Sequence, residues 1–250
     1  MPVSVSTTNS IATITFGHPK GNSLPAPLLS QLALELTALG ANPAVRVIVL
    51  RSDGAGPFCA GASFDELVAI ATPEAGKEFF SGFSRVILAM IRAPQFVLVR
   101  VQGKAAGGAV GLIAASDFSV ALKSAPSRLS ELAVGIGPFV VGPCIERKIG
   151  LAAYSTMTVG TDWHDAEWCE RHGLYSQLFD SVAEMDAALD ARAATLAASN
   201  PEAMAKLKRI FWAGTEHWDA LLAERAAMSG ALVLSEFTRA AIARFKNTPR

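Results

Sequence analysis

The residues best suited to chemistry lie in two glycine-rich loops, and each loop follows a predicted buried strand and precedes a predicted helix. The first loop, residues 53–63, reads Asp-Gly-Ala-Gly-Pro-Phe-Cys-Ala-Gly-Ala-Ser, and the second, residues 103–111, reads Gly-Lys-Ala-Ala-Gly-Gly-Ala-Val-Gly. Turns at the carboxyl ends of neighbouring strands can present two backbone N–H groups to one point, provided that their side chains are small. The pair therefore indicates an oxyanion hole, which stabilises negative charge on an oxygen atom.

The second loop, taken alone, leaves two interpretations open. No G-x-G-x-x-G fits its spacing, and G-x-x-x-x-G-K-[ST] occurs nowhere in the sequence, so neither a dinucleotide loop nor a P-loop is indicated. Its glycines could serve to pack a helix closely on a sheet, or they could expose N–H groups at a helix N-terminus to an anionic oxygen. The first loop favours the second interpretation.

Other residue types that carry chemistry show no functional pattern. The histidines lack metal-ligand spacing, no G-x-S-x-G is present, and an odd, widely spaced set of cysteines forms neither a disulfide framework nor a zinc motif. We interpret the histidines as surface or capping residues, two cysteines as core residues, and a basic cluster near the end as a solvated helix face. These residues are His18, His164, His172 and His217; Cys59 and Cys144; and Lys206, Lys208 and Arg209.

Composition limits the class of protein. Of 250 residues, 51% are apolar and 18% charged, and 22 basic residues balance 22 acidic ones. Zero net charge argues against nucleic acid or an anionic membrane surface as a partner, and no run of about 18 apolar residues predicts a membrane helix. The mean hydropathy of +0.33 predicts apolar surface buried in an oligomer. The N-terminal residues lack signal-peptide features, so we expect a reduced, cytoplasmic, globular protein.

The elements that must position the two loops alternate between strand and helix, which predicts an α/β fold. An alternating pattern over residues 1–16 predicts a hairpin. Runs of β-branched and apolar residues predict strands at 45–50, 95–101 and 118–122. Helical periodicity predicts helices at 28–39, 64–70 and 73–92, and a small-residue helix ending near 116.

The remainder of the chain is predicted to be mostly helical. One short strand is predicted at 174–179, and the last fifty residues are predicted to form three helices broken near Gly214 and Gly230. We therefore predict a core domain over residues 1–199 and a C-terminal helical lobe over residues 200–250 that covers the site and mediates oligomerisation.

Taken in order, these motifs resemble the crotonase (enoyl-CoA hydratase/isomerase) superfamily. The resemblance rests on residues 58–62, 101–108, 130–131 and 135–138, and it extends over nearly the whole chain. It implies a spiral of ββα turns with a C-terminal helical lobe, assembly into a homotrimer or a dimer of trimers, and no cofactor, since the coenzyme A thioester is the substrate. It also implies that the N–H groups of Ala62 and Gly108 form the oxyanion hole.

The resemblance further implies a catalytic role for Glu131. Hydratases of this family commonly use two glutamates, and the second falls on Gly111 here, so concerted action by two carboxylates is in question. A single Glu131 could activate one water and return its proton, or it could move a proton between two carbons. We prefer hydration of a 2-enoyl-CoA, and double-bond isomerisation is the alternative. Thioester hydrolysis and acyl-CoA binding without turnover are remote alternatives.

A weaker resemblance, over residues 107–112 and 137–143, is to the bacterial methylglutaconyl-CoA hydratase subgroup, which would imply a branched substrate. Asp65 stands where many members have a basic residue for the nucleotide phosphates, so Lys20 is expected to meet that charge instead. The substrate-binding residues that the resemblance implies are Lys20, Gly21, Ala60, Ser63, Phe64, Gly107, Gly111, Gly135, Pro138 and Phe139.

Overall fold

The computed structural model describes residues 2–247, with side chains described through residue 244, and a six-stranded sheet forms the centre of this part of the chain. The strands lie in the order β1–β2–β3–β4–β6–β8, and a separate two-stranded sheet pairs β5 with β7. The strands are β1 (Val3–Thr8), β2 (Ile11–Phe16), β3 (Val47–Ser52), β4 (Phe96–Val101), β5 (Ala105–Ala106), β6 (Phe118–Leu122), β7 (Ser127–Arg128) and β8 (Gln177–Phe179).

The N-terminal hairpin is the antiparallel part of the main sheet. β1 and β2 pair through a tight turn at Asn9 and Ser10, whose φ values of 51° and 63° suit the twist of a two-residue hairpin. All other pairs in this sheet are parallel. Because parallel strands end at one edge, and β3 and β4 are hydrogen-bonded neighbours, the two glycine-rich loops leave the sheet side by side. The predicted adjacency of the two strands is confirmed.

Helices cover both faces of this sheet, as expected for an α/β fold. They are α1 (Ala26–Ala41), α2 (Phe64–Ala69), α3 (Pro73–Arg92), α4 (Gly108–Ala114), α5 (Gly142–Gly160), α6 (Ala166–Arg171), α7 (Val182–Ala197), α8 (Pro201–Phe211), α9 (Trp218–Leu232) and α10 (Glu236–Asn247). The larger hydrophobic core unites one sheet face with α1, α3, α4 and α9. A smaller core on the other face packs Val47, Leu98 and Val120 against Met185 and Leu189 of α7.

The tail is helical, as predicted, but Gly230 does not break it. Gly230 lies inside α9, and a Cβ on Gly76 of α3 would stand 2.6 Å from the Gly230 Cα. The glycine is therefore a close-packing residue at a helix crossing, and the tail bends instead after Leu232. The division at residue 199 stays a prediction, and residues 248–250 of the predicted lobe lie outside the described residues.

Lys208 corrects the expectation of a solvated basic face on α8. Its side chain is buried and pairs with Asp117 at 2.7 Å, and its Nζ also donates to the Gln95 carbonyl at 2.8 Å. Lys206, on the same helix, is exposed and pairs with Glu202. A tail lysine thus anchors the helix to the sheet through a buried ion pair. No helix in the described part of the chain is long and apolar enough to cross a membrane.

Candidate active site

The first glycine-rich loop lies directly against the second. The Cys59 N–H donates to the Lys104 carbonyl at 3.2 Å, and the Ala106 N–H donates to the Cys59 carbonyl at 3.0 Å. Gly61 has a φ of +85°, and a Cβ at this position would stand 2.7 Å from the Ala106 carbonyl oxygen. Because glycine alone permits this conformation and this distance, the small residues of the two loops explain their close approach.

Ala62 and Gly108 follow this point of contact, and both line one cavity. Gly108 begins α4, and the first N–H groups of a helix have no acceptor within it. Neither the Ala62 N–H nor the Gly108 N–H has an acceptor elsewhere among the described residues. Gly107, which precedes the helix, has a φ of +56° that favours glycine. Two backbone donors are therefore available at the cavity.

Glu131 lines the same cavity, just before a short 3-10 turn at Leu132–Val134. Its Oε2 atom is buried and has no hydrogen-bond partner in the described part of the chain. A Cβ on Gly107 would stand 3.1 Å from Glu131 Oε1, so the carboxylate reaches the start of α4. Desolvation raises the pKa of Glu131 to about 7, although backbone hydrogen bonding at Glu131 and Ser130 and, to a smaller extent, the charge of Arg128 oppose this. Such a carboxyl group is suited to both accepting and returning a proton near neutral pH.

The cavity has a volume of about 60 Å³ and a mostly apolar lining. Besides Ala62, Gly108 and Glu131, it includes four of the predicted substrate-binding residues, namely Ala60, Phe64, Gly107 and Pro138. Sequence reasoning missed the side chains that form its walls. They are Leu67, Phe80, Phe83, Val134, Ile136, Val140, Val141 and Ser229. The spacing of the phenylalanines along α3 indicates that one face of this helix is buried, but it does not indicate that this face lines a cavity.

The structure does not bring Gly111 to the cavity. A Cβ on Gly111 would stand 2.5 Å from Cγ1 of Val141, a side chain that does line the cavity. The predicted contact between Gly111 and substrate is therefore not found, because Gly111 packs behind the side chain of Val141. Gly108 is confined in a similar way, since a Cβ there would stand 2.2 Å from Cε1 of Phe83.

Gly135 and Phe139 also lie outside the cavity lining, and both shape the 135–139 segment instead. Gly135 has a φ of +82°, and its carbonyl accepts a hydrogen bond from the Thr238 hydroxyl at 3.1 Å. The ring of Phe139 packs against Gly137, where a Cβ would stand 2.4 Å from its Cζ. Helix α10 thus holds the loop that follows Glu131.

The predicted coenzyme A loop, residues 20–22, runs along the outer side of the first glycine-rich loop. The Ala60 N–H donates to the Gly21 carbonyl at 3.0 Å, and the Asn22 side chain donates to the carbonyl of Pro57 at 2.9 Å. Lys20 is exposed and forms an ion pair with Asp65 at the start of α2. Ser63 is buried immediately before α2 and does not line the cavity. Lys20 and Gly21 therefore lie next to the site without entering the cavity.

In the part of the chain that the structure describes, the cysteine and histidine candidates do not line the cavity. Cys59 and Cys144 are buried, as predicted, and desolvation raises the pKa of each thiol to about 12. His164 and His172 pack on either side of Trp168, at ring distances of 4.1 and 4.2 Å. Within the described residues, no group of three or more histidine, cysteine, aspartate or glutamate side chains could hold a metal ion.

A largely parallel sheet whose neighbouring loops bring two N–H groups and a carboxylate to one cavity is the arrangement that the sequence resemblance implies. The family model described as "Enoyl-CoA hydratase/isomerase" matches residues 6–245. The chain therefore belongs to the enoyl-CoA hydratase/isomerase family, as the sequence motifs predict.

Individual relatives agree with this family. The chain is 33% identical to a mitochondrial methylglutaconyl-CoA hydratase of Rattus norvegicus over 168 residues, which are 67% of this chain and 53% of that protein. It is 29% identical to a probable enoyl-CoA hydratase of Mycobacterium leprae, over 82% of this chain and 72% of that protein. The chain thus spans about half the length of the methylglutaconyl-CoA hydratases that it matches.

The fold agrees as well. The structure superposes on an enoyl-CoA hydratase from Bacillus halodurans with a TM-score of 0.91, over 98% of this chain and all of that one, at 19% identity. This confirms the crotonase-like α/β fold.

Proposed function

We propose that the protein hydrates a 2-enoyl-CoA, with Glu131 as its proton-transferring carboxylate. One observation carries the proposal: a carboxylate oxygen without a partner and two N–H groups without acceptors line the same apolar cavity. Family membership supports an acyl-CoA as the substrate.

The N–H groups of Ala62 and Gly108 would donate to the thioester carbonyl oxygen. Because both donors belong to a backbone that is already in place, they stabilise the oxygen of an enolate without reorganising during the reaction. Polarising the carbonyl makes the β-carbon electrophilic and the α-proton acidic. Both effects favour the same enolate, so this half of the site serves hydration and isomerisation equally.

In hydration, Glu131 removes a proton from a water molecule while the water oxygen forms a bond to the β-carbon. The electron pair of the C=C bond moves toward the thioester oxygen and forms the enolate. Glu131 then returns the proton to the α-carbon, and the carbonyl is restored. The substrate gains H and OH, and the carboxylate is regenerated. One carboxylate is sufficient because it acts as base and then as acid, and its raised pKa suits both steps.

A double-bond isomerase is the second candidate, and the packing of Val141 over Gly111 favours it. This packing leaves no space for a second acid, so Glu131 alone would have to hold the water for hydration. Isomerisation needs no water, since Glu131 would remove the α-proton of a 3-enoyl-CoA and return it to the γ-carbon. We place hydration first because both named relatives are hydratases.

The finer features of the proposal have separate support. The identity of 33% to a methylglutaconyl-CoA hydratase supports a branched acyl group, and the exposed Lys20 supports a phosphate contact once it leaves Asp65. Exposed apolar side chains such as Val159, Ile210 and Phe211 support burial of surface in an oligomer, which we propose is a homotrimer or a dimer of trimers. A cytoplasmic location belongs to the same proposal. Light scattering that reports a stable monomer at micromolar concentration would contradict the assembly.

The proposal is tested by absorbance of the conjugated enoyl thioester. Hydration lowers this absorbance with crotonyl-CoA, whereas isomerisation raises it with 3-butenoyl-CoA. Release of free thiol would instead reveal thioester hydrolysis, and tight binding of acyl-CoA without any turnover would reveal a binding protein.

A matched pair of variants assigns the chemistry. Glu131→Gln should lower turnover by roughly a hundredfold to ten-thousandfold and leave acyl-CoA affinity nearly unchanged, because the amide keeps the shape and loses the proton transfer. Glu170→Gln, on the exposed face of α6, should retain wild-type turnover. Full activity of Glu131→Gln would show that another group transfers the proton.

A further inference from the structure

The described lining of the cavity carries one ionisable group, and that group is acidic. Among the described residues that line the cavity, Glu131 is the one with an ionisable side chain. The other lining residues are glycines, a proline, aliphatic and aromatic residues, and two serines, Ser130 and Ser229. The site therefore offers hydroxyl groups but no cation to any part of a substrate that enters it.

The cations near the cavity do not line it. Arg128 and Arg225, the latter on α9, each have a buried Nε atom without a hydrogen-bond partner, but neither is among the lining residues. The guanidinium carbon of Arg128 lies 4.5 Å from the ring centre of Trp163, and Arg128 does not line the cavity. Lys20 pairs with Asp65 outside the cavity. Without a rearrangement of one of these residues, a negative charge at the far end of an acyl group would meet no positive charge.

Glu131 makes such a charge still less favourable. An anionic acyl group would lose its hydration in an apolar cavity without gaining an ion pair, and that loss is large for an unpaired carboxylate. It would also lie near a carboxylate that must be ionised to act as base, and like charges in a medium of low dielectric constant repel strongly. An uncharged acyl group of the same size has neither cost.

We propose that the site discriminates by charge and takes 2-enoyl-CoA substrates whose acyl group carries no second carboxylate. This inference rests on the proposed function and narrows it. It predicts a different substrate from the one in the name of the methylglutaconyl-CoA hydratase relatives, because a methylglutaconyl group carries a second carboxylate. The branched counterpart expected to fit here is a methylcrotonyl group, which has a methyl group in place of the carboxymethyl group.

The test compares three thioesters with the wild-type protein: crotonyl-CoA, glutaconyl-CoA and the amide of glutaconyl-CoA. The last two have the same size, and they differ in one negative charge. We expect kcat/KM to be about a hundredfold or more higher for the amide than for the acid, as is typical when a buried charge has no partner. A ratio above tenfold supports the proposal, and a ratio below tenfold overturns it.

Two further outcomes separate a failure of the charge proposal from a failure of the proposed function. If crotonyl-CoA reacts and neither glutaconyl compound does, size sets the specificity and discrimination by charge is wrong. If none of the three reacts and 3-butenoyl-CoA is not isomerised, the proposed function itself fails.

A variant supplies the missing cation. Leu67 lines the cavity from the short surface helix α2, where a lysine can extend from the same backbone position. Leu67→Lys should raise the acid-to-amide ratio of kcat/KM by tenfold or more, and Leu67→Met, of similar length and uncharged, should leave it unchanged. An equal ratio in both variants would overturn the proposal. Because the wild-type comparison needs no variant, the test holds even if Leu67→Lys fails to fold.

Discussion

Replacing Glu131 with glutamine should stabilise the protein above neutral pH, although it removes the carboxylate that we assign to proton transfer. Burial raises the pKa of Glu131 from an ordinary value of 4.5 to about 7. Below about pH 4.5 the group is protonated in both the folded and the unfolded state, so it does not favour either. Between about pH 4.5 and pH 7 it ionises first in the unfolded state, and the folded wild-type protein loses stability. Glutamine has no such loss.

The size of the effect follows from the same interval. A tenfold change in proton affinity corresponds to about 1.4 kcal/mol, so the interval from a pKa of 4.5 to a pKa of about 7 corresponds to an upper bound of about 3.5 kcal/mol. Although the Oε2 atom is buried, other parts of the residue are exposed, and this reduces the value. We expect the advantage of Glu131→Gln in unfolding free energy to be small near pH 4.5 and to reach about 2 kcal/mol near pH 8.5.

Urea unfolding followed by tryptophan fluorescence measures this difference at a series of pH values. The difference in unfolding free energy between the two proteins at each pH removes the contribution of all other titrating groups, because both proteins share them. Glu170→Gln is the control, and its effect should stay below about 0.5 kcal/mol, as for most surface substitutions. An advantage that does not grow with pH, or a wild type that is the more stable protein at high pH, would refute the argument that burial strains this carboxylate.

Three further substitutions test other parts of the structure. Ala62→Pro removes one N–H donor without adding a Cβ, so turnover should fall by about a hundredfold to a thousandfold while circular dichroism stays unchanged; unchanged turnover would exclude this donor. Gly111→Glu should not raise hydration of crotonyl-CoA, because the valine packed over this glycine leaves no space, and a faster hydratase would contradict that packing. Lys208→Met removes the cation that pairs directly with Asp117 and leaves the more distant charge of Lys148, so it should lower the urea unfolding free energy by about 3 kcal/mol. The exposed Lys206→Met should change it by less than about 1 kcal/mol, and equal effects would show that the buried pair is unimportant.

The sequence predicts those features that depend on local pattern. α3 runs over Pro73–Arg92 and β6 over Phe118–Leu122, as predicted, because their apolar periodicity spans whole elements. The two glycine-rich loops and Glu131 are also found together. This part of the site is predictable because two loops of small residues, each following a buried strand, can bring backbone N–H groups to one point when the strands are neighbours.

Features that depend on distant partners were not predictable from local pattern. Local pattern predicts a helix break at Gly230, because a glycine in a helical pattern gives no sign of the second glycine, Gly76, that packs against it. Local pattern predicts a solvent-exposed Lys208, because its partner Asp117 lies far away in sequence, in the turn before β6. Ser229 lines the cavity from the tail, and only the packing of α9 on α3 brings it there. In each case local pattern does not show which face of a helix is covered or which distant element covers it.

The crossing of α3 and α9 also has a consequence for biosynthesis. Arg92 and Asp219 join these helices across 127 residues of sequence, so at a synthesis rate of about 5–20 residues per second the ribosome needs on the order of ten seconds to make the second helix after the first. During that interval the phenylalanine-rich face of α3 has no α9 to cover it. We therefore expect the nascent chain to expose this aromatic surface during synthesis, and the cavity, which Ser229 helps to line, is completed only after α9 has left the ribosome.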